Sequence, residues 1–498
     1  MKQLFCLLLL CAASSADAAF TEFYCISGGG ANTNSGSSTS ATATYSSVNG
    51  NWNGTSVFTP VDGSTPASTV NVGDFAAVYV DGNTNATYVA RVNTVAAGAN
   101  GAITLSVNAA AGTAPSSSST GRTISVGGAW GGPTLIGDGF PFSFVSGSLT
   151  NTSGNSPRVN CKGTWFSTNG ITDAVNLGPV WFQGYTNTIG DGGFCNIYGS
   201  NNISGYALFT ISGKNRNYAN FIWATNGNSG SQHLVSLTTG ECLIYNCAAH
   251  DARLAGFFMS TPNTFNTLEA WNCDQANNSA YGAIMSQAAG CIMLNCFAHD
   301  NAGANVAGFE TDGTQTAIGC IAANNGGDGF RGTGDVQLTY LRCEAFNNGG
   351  NGINMAGSSG TINPVDPMCI NFINCNFIKN GKCGITNSAA SQAYYNGLIV
   401  NCGFGSGTMT NPSGDIEGRL QGVQTVNCFD YPANSFPYFA TNNFTIALSQ
   451  AKNKGTNFWL NVSPMNYATT VGYPDVGSAQ HLDTGGTSNG SGSYPFSQ

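Results

Sequence analysis

Apolar and polar positions along this chain fall into one recurring phrase. Aligned on a cysteine that usually follows asparagine, it reads NCAAHDARLAGFF from Asn246, NCDQANNSAYGAIM from Asn272 and NCFAHDNAGANVAGFE from Asn295. It continues as GCIAANNGGDGFR from Gly319, RCEAFNNGGNGIN from Arg342 and NCNFIKNGKCGIT from Asn374, with fainter copies at Cys402 and Cys428. From Cys247 onward the cysteines lie 26, 23, 24, 23, 32, 27 and 26 residues apart, the long step holding an inserted SSGTINPVDP from Ser358 to Pro367. Cys195 stands 52 residues before Cys247, two steps back, with Phe221 at the middle register. Each copy has an apolar run ending in Cys, an Asn/Asp pair, and a Gly followed by Phe or Ile.

A fixed period of about 25 residues marks a repeat architecture. Three short strands with Asn- and Gly-rich bends fill such a unit, which predicts a parallel β-solenoid whose coils stack about 4.8 Å apart. Equivalent side chains then form columns. The cysteines are predicted to point inward as small polarizable hydrophobes. Phe257, Phe309, Phe330, Ile353 and Ile385 form a second inner column, and Asn246, Asn272, Asn295, Asn374, Asn401 and Asn427 a ladder between coils. Asp251, Asn277, Asp300, Asn324 and Asn347 share a bend register, where Asn or Asp tolerates a left-handed backbone.

Around the coil the pattern changes. Residues 1–18, MKQLFCLLLLCAASSADA, place Lys2 before a short apolar run and small residues at Ala16 and Ala18, a secretory signal too short to span about 30 Å of hydrocarbon. Residues 19–128 carry alternating strands in FAAVYVDGNTNATYVARVNTV, AITLSV and RTISVGG, predicting a small β domain. The β-helix is assigned to 129–430, a capping segment to 431–483, and a Gly/Ser-rich flexible tail to 484–498. The predicted fold is all-β.

Composition narrows the partners. Only 8% of residues are charged, 67 are glycine, and the net charge is −9. Long amphipathic helices are excluded by this usage, and so is a nucleic-acid partner, which needs a basic stripe. No later segment is apolar enough to be a membrane span. The expected location is secreted, extracellular or at the cell surface.

On this repeat, over roughly Arg158 to Tyr431, the chain resembles the right-handed parallel β-helix proteins, the pectate-lyase-like superfamily that also includes phage tailspikes. FYCISGGGANTNSG, Phe23 to Gly36, is similar to the opening of many secreted or virion β-helix proteins. DVGSAQH, Asp475 to His481, is similar to a closing motif of environmental β-helix proteins. The resemblance implies the right-handed coil, a polysaccharide or glycan surface as partner, and assembly as a trimer or end-to-end stack. The catalytic signatures of pectate lyases and polygalacturonases have no counterpart here, so no catalytic residue is carried over.

Several residue groups carry candidate chemistry. Removing Cys6 and Cys11 with the signal leaves 15 of 17 cysteines. Stacked cysteines on parallel strands point the same way, which does not suit a disulfide. Local pairs among the off-column Cys25, Cys161, Cys369 and Cys383 stay open. The five-residue offsets Cys242/Cys247 and Cys291/Cys296 do not match a zinc knuckle. His250-Asp251 and His299-Asp300 read as bend residues whose adjacent side chains point apart. The stronger cluster is Glu310, Asp312, Asp328, Arg331 and Asp335. Glu310 and Arg331 both follow the second apolar column, so they are expected to meet on adjacent coils, facing outward as an exposed ion pair. As an alternative, these carboxylates serve a glycosidase pair. Sequons such as Asn53-Gly54-Thr55 arise freely in so Asn- and Thr-rich a chain.

The resulting expectation is an exported structural or adhesive β-helix surface protein that contacts glycans and self-assembles, without cofactor. Alternatives are a polysaccharide hydrolase or depolymerase, with Ca needed if it is a lyase, and a virion tailspike-like appendage.

Overall fold

In a computed structural model of the protein, the described residues are 20–446 apart from 32–33, 41, 81–87, 116–117, 132–141, 143, 200–206, 226–232, 274–281, 334–336, 356–367, 389–393, 406, 408–409, 417–420, 432–437 and 441–442. The signal segment, the Asp81-Gly82 turn, Asn277, Asp335, the insert after Gly357, the DVGSAQH motif and the tail lie outside them. The described chain is built of strands and divides into two compact units, one of Met1–Pro133, Phe140–Gly163 and Val175–Asp191, the other of Thr134–Gly139, Thr164–Ala174 and Gly192–Gln498. Among the described residues no helix is long and apolar enough to cross a membrane.

The first unit contains a closed antiparallel barrel. Its strands follow the order Tyr45–Asn53, Val57–Pro60, Ile103–Gly112, Tyr88–Val95, Phe75–Val80 and Ser118–Val126. Closure leaves no free edge, and alternation along each strand sends Trp52, Phe58, Val78, Ile103 and Ile124 into one core. Beside it in this unit, Thr21–Ile26, Pro157–Lys162 and Val180–Tyr185 pair in parallel.

The second unit is the solenoid. A representative coil runs Thr314–Ile318, Ile321–Ala323 and Phe330–Gly332, and each strand pairs in parallel with its counterpart one coil on. Three sheets result: the first holds the strand before each column cysteine, the second the strand after it, and the third the Gly-Phe or Gly-Ile strand. The expected columns are present with one correction. Cys247, Cys296, Cys320, Cys343, Cys375 and Cys402 are fully covered, but on the coil between Cys247 and Cys296 the position is filled by Leu268, and Cys273 lies at the next corner, level with Asn301. Val235, Phe257, Ile284, Phe309, Phe330, Ile353 and Ile385 pair in register along the third sheet.

The columns have physical causes beyond hydrophobicity. Asn272, expected in the asparagine ladder, stands one corner on, level with Asp251 and Asp300, but Asn246, Asn295, Asn374, Asn401 and Asn427 all have φ between 48° and 58°, as do Thr267 and Arg342 at 54° and, slightly wider, Gly319 at 65°. This is the left-handed corner between the first and second sheets, which costs most L-residues about 1–2 kcal/mol and which Asn and Gly accept best. The thiol that follows does more than fill space. Cys320, Cys343, Cys375, Cys402 and Cys428 each donate S–H to a carbonyl of the preceding coil, on Met293, Ala317, Tyr340, Phe372 and Ile399, at 3.4 to 3.5 Å.

The second corner repeats the device. Asp251, Asp300, Asn324 and Asn347 have φ of 62°, 51°, 56° and 54°. The residue after each of the last three points inward and builds a buried ladder. Asn301 Nδ2 donates to Asn325 Oδ1 at 2.7 Å, Asn325 to Asn348 at 2.9 Å, Asn348 to Asn380 at 2.9 Å and Asn380 to Asn411 at 3.3 Å. Asn325, Asn348, Asn380 and Asn411 also donate to the carbonyls of Ala298, Ala322, Ala345 and Phe377. The glycines beyond pack backbone on backbone, and a Cβ on Gly349 would come within 2.3 Å of the Gly326 carbonyl oxygen.

Replacing Asn348 with Ala strips buried partners from Asn325, Asn380 and Ala322 together. It is expected to lower stability on the order of 3 kcal/mol, whereas Asn347→Gly, at the neighbouring left-handed position, changes it little. Denaturant unfolding followed by far-UV circular dichroism checks both.

Candidate functional site

Two clusters of chemically active side chains stand on the outer walls of the second unit. The first follows from the third sheet, where the residue after each inner Phe or Ile turns outward: Glu310, Arg331, Asn354 and Thr386 lie in register on successive coils. Arg331, Asn354 and Thr386, with the adjoining bends, border a groove of about 640 Å³, lined also by Asp328, Asn351 and Lys382, and Glu310 lies just outside it.

Each expected site residue has a definite place. Glu310 and Arg331 do meet across adjacent coils, but not as an exposed pair. Arg331 Nε donates to Glu310 Oε2 at 3.0 Å and Nη2 to the same oxygen, while Nη1 donates to the Asn305 carbonyl at 2.9 Å. Their side chains are only 9% and 2% exposed, because bends from neighbouring coils close over them. A buried pair of this kind is costly to break from one side. Asp328 faces the groove, with Oδ1 accepting from Asn351 N and Nδ2 at 2.7 and 2.8 Å and Oδ2 accepting from Asn354 Nδ2 at 2.9 Å. Asp312 is exposed beyond the end of its strand and does not border the groove. Asp335 lies outside the described residues. Glu310 and Asp328 are thus each engaged by neighbouring side chains, an arrangement suited to holding the shape of this wall.

The second cluster corrects the reading of the His-Asp pairs. Adjacent side chains on a strand point apart, but Asp251 and Asp300 are left-handed, and this turns each carboxylate back over the preceding ring. His250 Nδ1 lies 2.8 Å from Asp251 Oδ2, and His299 Nδ1 2.8 Å from Asp300 Oδ2. His299 Nε2 is also 2.9 Å from Glu269 Oε1, so one imidazole bridges two carboxyl groups. Trp271 stands between the two rings, 4.5 Å from His250 and 6.0 Å from His299, and Phe297 stacks on His299 at 4.1 Å. Asn272 Nδ2 donates to Asp251. The equal placement of HD after Cys247 and Cys296 was the sequence signal. Glu269 and Trp271 come from LEAWN on the coil between, which carries no such motif, and were missed.

Electrostatics in this cluster follow from burial. Glu269 is 5% exposed, and desolvation raises its pKa against the opposing hydrogen bond and charge of His299. Burial pulls His299 down, but the hydrogen bonds and charges of Asp300 and Glu269 outweigh it and leave a net rise. The hydrogen bond from His299 lowers Asp300. Away from both clusters, Asp173 accepts from Arg216 Nε at 2.6 Å and from the Tyr218 hydroxyl, all inside the coil. Among the described residues, no three His, Cys, Asp or Glu side chains are grouped to hold a metal ion.

A raised histidine pKa stabilises the fold below its unfolded value of about 6.5, and that contribution fades as pH rises through the higher folded value. Asp300→Asn preserves the left-handed corner but removes the anion. It should lower the His299 pKa, read by NMR titration, and shrink the stability that the native chain gains between about pH 8 and pH 5. An unchanged His299 titration would contradict this account.

Residues 211–404 match the family described as right handed beta helix region. No curated protein sequence matches the chain. Among solved structures, the pectate lyase Pel9A is similar over 65% of this chain and 87% of its own, at 15% identity and a TM-score of 0.47. The polysaccharide lyase Pedsa3628 of family PL6 from Pseudopedobacter saltans is similar over 56% and 89%, at 10% identity and 0.37. The Gp54 tailspike of Acinetobacter baumannii bacteriophage AP22, in complex with capsular saccharide, is similar over 79% and 65%, at 10% identity and 0.24. Likeness of this order carries nothing about activity. What the repeat and its three sheets establish is architecture: the coil of this chain is that of a right-handed parallel β-helix protein.

Proposed function

We propose that the chain is an exported β-helix surface protein, structural or adhesive, that binds a glycan along the third-sheet groove. The observation that carries this reading is the groove itself. Asn351, Asn354, Thr386 and Ser388 present amide and hydroxyl groups on successive coils, and their positions are fixed from behind. Asp328 holds Asn351 and Asn354, and Ser388 Oγ donates to Asn354 Oδ1 at 2.8 Å. Oriented donors and acceptors on two adjacent coils suit a short run of sugar hydroxyls, and prior immobilisation lowers the entropy lost on binding. Lys382 adds an exposed cation at the rim.

The second reading, a polysaccharide hydrolase or depolymerase, draws support from one observation away from the groove. Glu269 is a buried carboxyl bonded to His299 whose pKa desolvation raises, and a carboxyl with a raised pKa beside a second proton carrier is a recurring part of acid-base sites that cleave glycosides.

Calorimetric titration against a panel of neutral and acidic oligosaccharides separates the two. Binding without product release is expected, weakened about tenfold or more in the Lys382→Ala/Ser388→Ala variant, whose changes fall on exposed side chains and so leave thermal unfolding nearly unchanged. Reducing-sugar or unsaturated-product release that disappears in Glu269→Gln would replace the adhesive reading with the enzymatic one, and binding indifferent to the groove variant would remove the groove assignment.

A further inference from the structure

One end of the core reaches solvent. The inner cysteines run as a file through Cys296, Cys320, Cys343, Cys375, Cys402 and Cys428, each thiol hydrogen-bonded to the next. From Cys296 to Cys402 every member is fully covered, whereas Cys428, the last cysteine of the sequence, is partly exposed. The backbone fixes this end pair side by side. Phe429 N donates to the Cys402 carbonyl at 3.0 Å, and Gly403 lies opposite Phe429 in the second sheet. The two thiols also share an orientation, Cys402 against the Phe372 carbonyl and Cys428 against the Ile399 carbonyl, each at 3.5 Å.

We propose that Cys402 and Cys428 form a binding site for a soft monovalent metal cation, copper(I) or silver(I), held in line between the two sulfurs. Geometry decides the class of ion. A file presents its sulfurs two at a time along one line, and among the described residues no three His, Cys, Asp or Glu side chains are grouped to hold a metal ion. That excludes the four-ligand cage of structural zinc, and the oxygen shells of calcium and magnesium have no counterpart in thiols. Copper(I) and silver(I), closed-shell and soft, take two thiolates in a straight line. A metal–thiolate bond of about 2.3 Å, taken twice, spans about 4.6 Å, which matches the roughly 4.8 Å between coils with the backbone left in place.

Binding is an exchange of protons for the ion. Two S–H bonds break, two metal–sulfur bonds form and two protons leave to water, so the linear unit carries one negative charge. The exchange gives up two S–H···O contacts, in which the thiol is a weak donor. Where the charge can sit limits the number of ions. Between covered neighbours such as Cys343 and Cys375 it would be buried without a counter-charge, which a dry interior penalises. At Cys428 solvent reaches the sulfur, so the end pair takes one ion and the rest of the file none. Cys369, the exposed thiol of the first sheet, lies opposite Asn396 and offers a single bond.

Silver(I) nitrate added to the reduced full chain in chloride-free buffer, with excess glutathione as a single-thiol competitor, tests the site. Elemental analysis after gel filtration is expected to find one silver per chain, because two sulfurs already fixed side by side lose less freedom than two separate thiols. Cys369→Ser should keep that silver, and Cys428→Ser should retain almost none with unchanged circular dichroism. Zinc(II) at the same concentration should wash away. Should Cys428→Ser fold poorly, maleimide labelling of the native chain reports the same contact, since silver should block Cys428 and leave Cys369 reactive. Silver stripped from the native chain by glutathione, silver retained in full by Cys428→Ser, zinc held equally well, or Cys428 labelled as fast with silver as without it would each overturn the proposal. Neither the third-sheet groove nor its ligand enters these readouts.

Discussion

Every coil must leave the first sheet and enter the second through a single residue in left-handed backbone, and the repeat is organised around that corner. Because most L-residues other than Asn and Asp resist the conformation, asparagine is the commonest residue there, and where the chain has Thr267, Arg342 or Gly319 the same left-handed corner persists. The corner fixes which residue comes next on the inside. There the space beside the neighbouring coil takes a short side chain, and a thiol both fills it and reaches a carbonyl one coil back. A second left-handed corner then delivers Asn325, Asn348 and Asn380 into the interior, where their amides satisfy one another. Low dielectric strengthens such a chain of hydrogen bonds, and it also makes register errors expensive, since a slip by one residue would bury unmatched amides.

Much of this was readable in the chain because periodicity is a property of spacing. The NC dipeptides indicated the period and the class of fold, and the Gly-Phe positions located the third sheet, but Asn272-Cys273 misled by five residues, because both corners accept asparagine and the coil between Cys247 and Cys296 has Thr267-Leu268 at the first of them. The buried ladder was hidden for a specific reason: NN, DN and KN pairs place two similar residues side by side, and sequence alone does not say which is left-handed and outside and which is turned inward. In the barrel, Phe75–Val80 and Tyr88–Val95 announce themselves by apolar alternation, whereas YSSVNGNWN over Tyr45–Asn53 reads as loop until its partners supply hydrogen bonds. Tertiary pairing overrides weak strand propensity there.

The functional clusters show the same division. Adjacency of Glu310 and Arg331 followed from register arithmetic, but their burial did not, because it depends on bends such as the one holding Asn305. His299 was set aside on the ground that neighbouring side chains diverge. The left-handed Asp300 defeats that rule, and the same corner that shapes the coil also assembles the bridge from Asp300 through His299 to Glu269. Structural and chemical roles are therefore not separable at this position, and the walls differ in character although one backbone unit generates all three.

The file of thiols has a consequence for redox chemistry. Of the 15 free cysteines all but Cys369 and Cys428 are buried, most of them fully. Burial in apolar surroundings raises Cys247 to about 12, far from the thiolate that exchange and oxidation need. The covered thiols are accordingly inert toward disulfide exchange once the coils close, and in the folded chain reactivity is left to the exposed Cys369 and to Cys428, whose pKa the hydrogen bond with Cys402 lowers to about 7. Before the coils close the same sulfurs lack that cover, so packing of one coil on the next is what protects them.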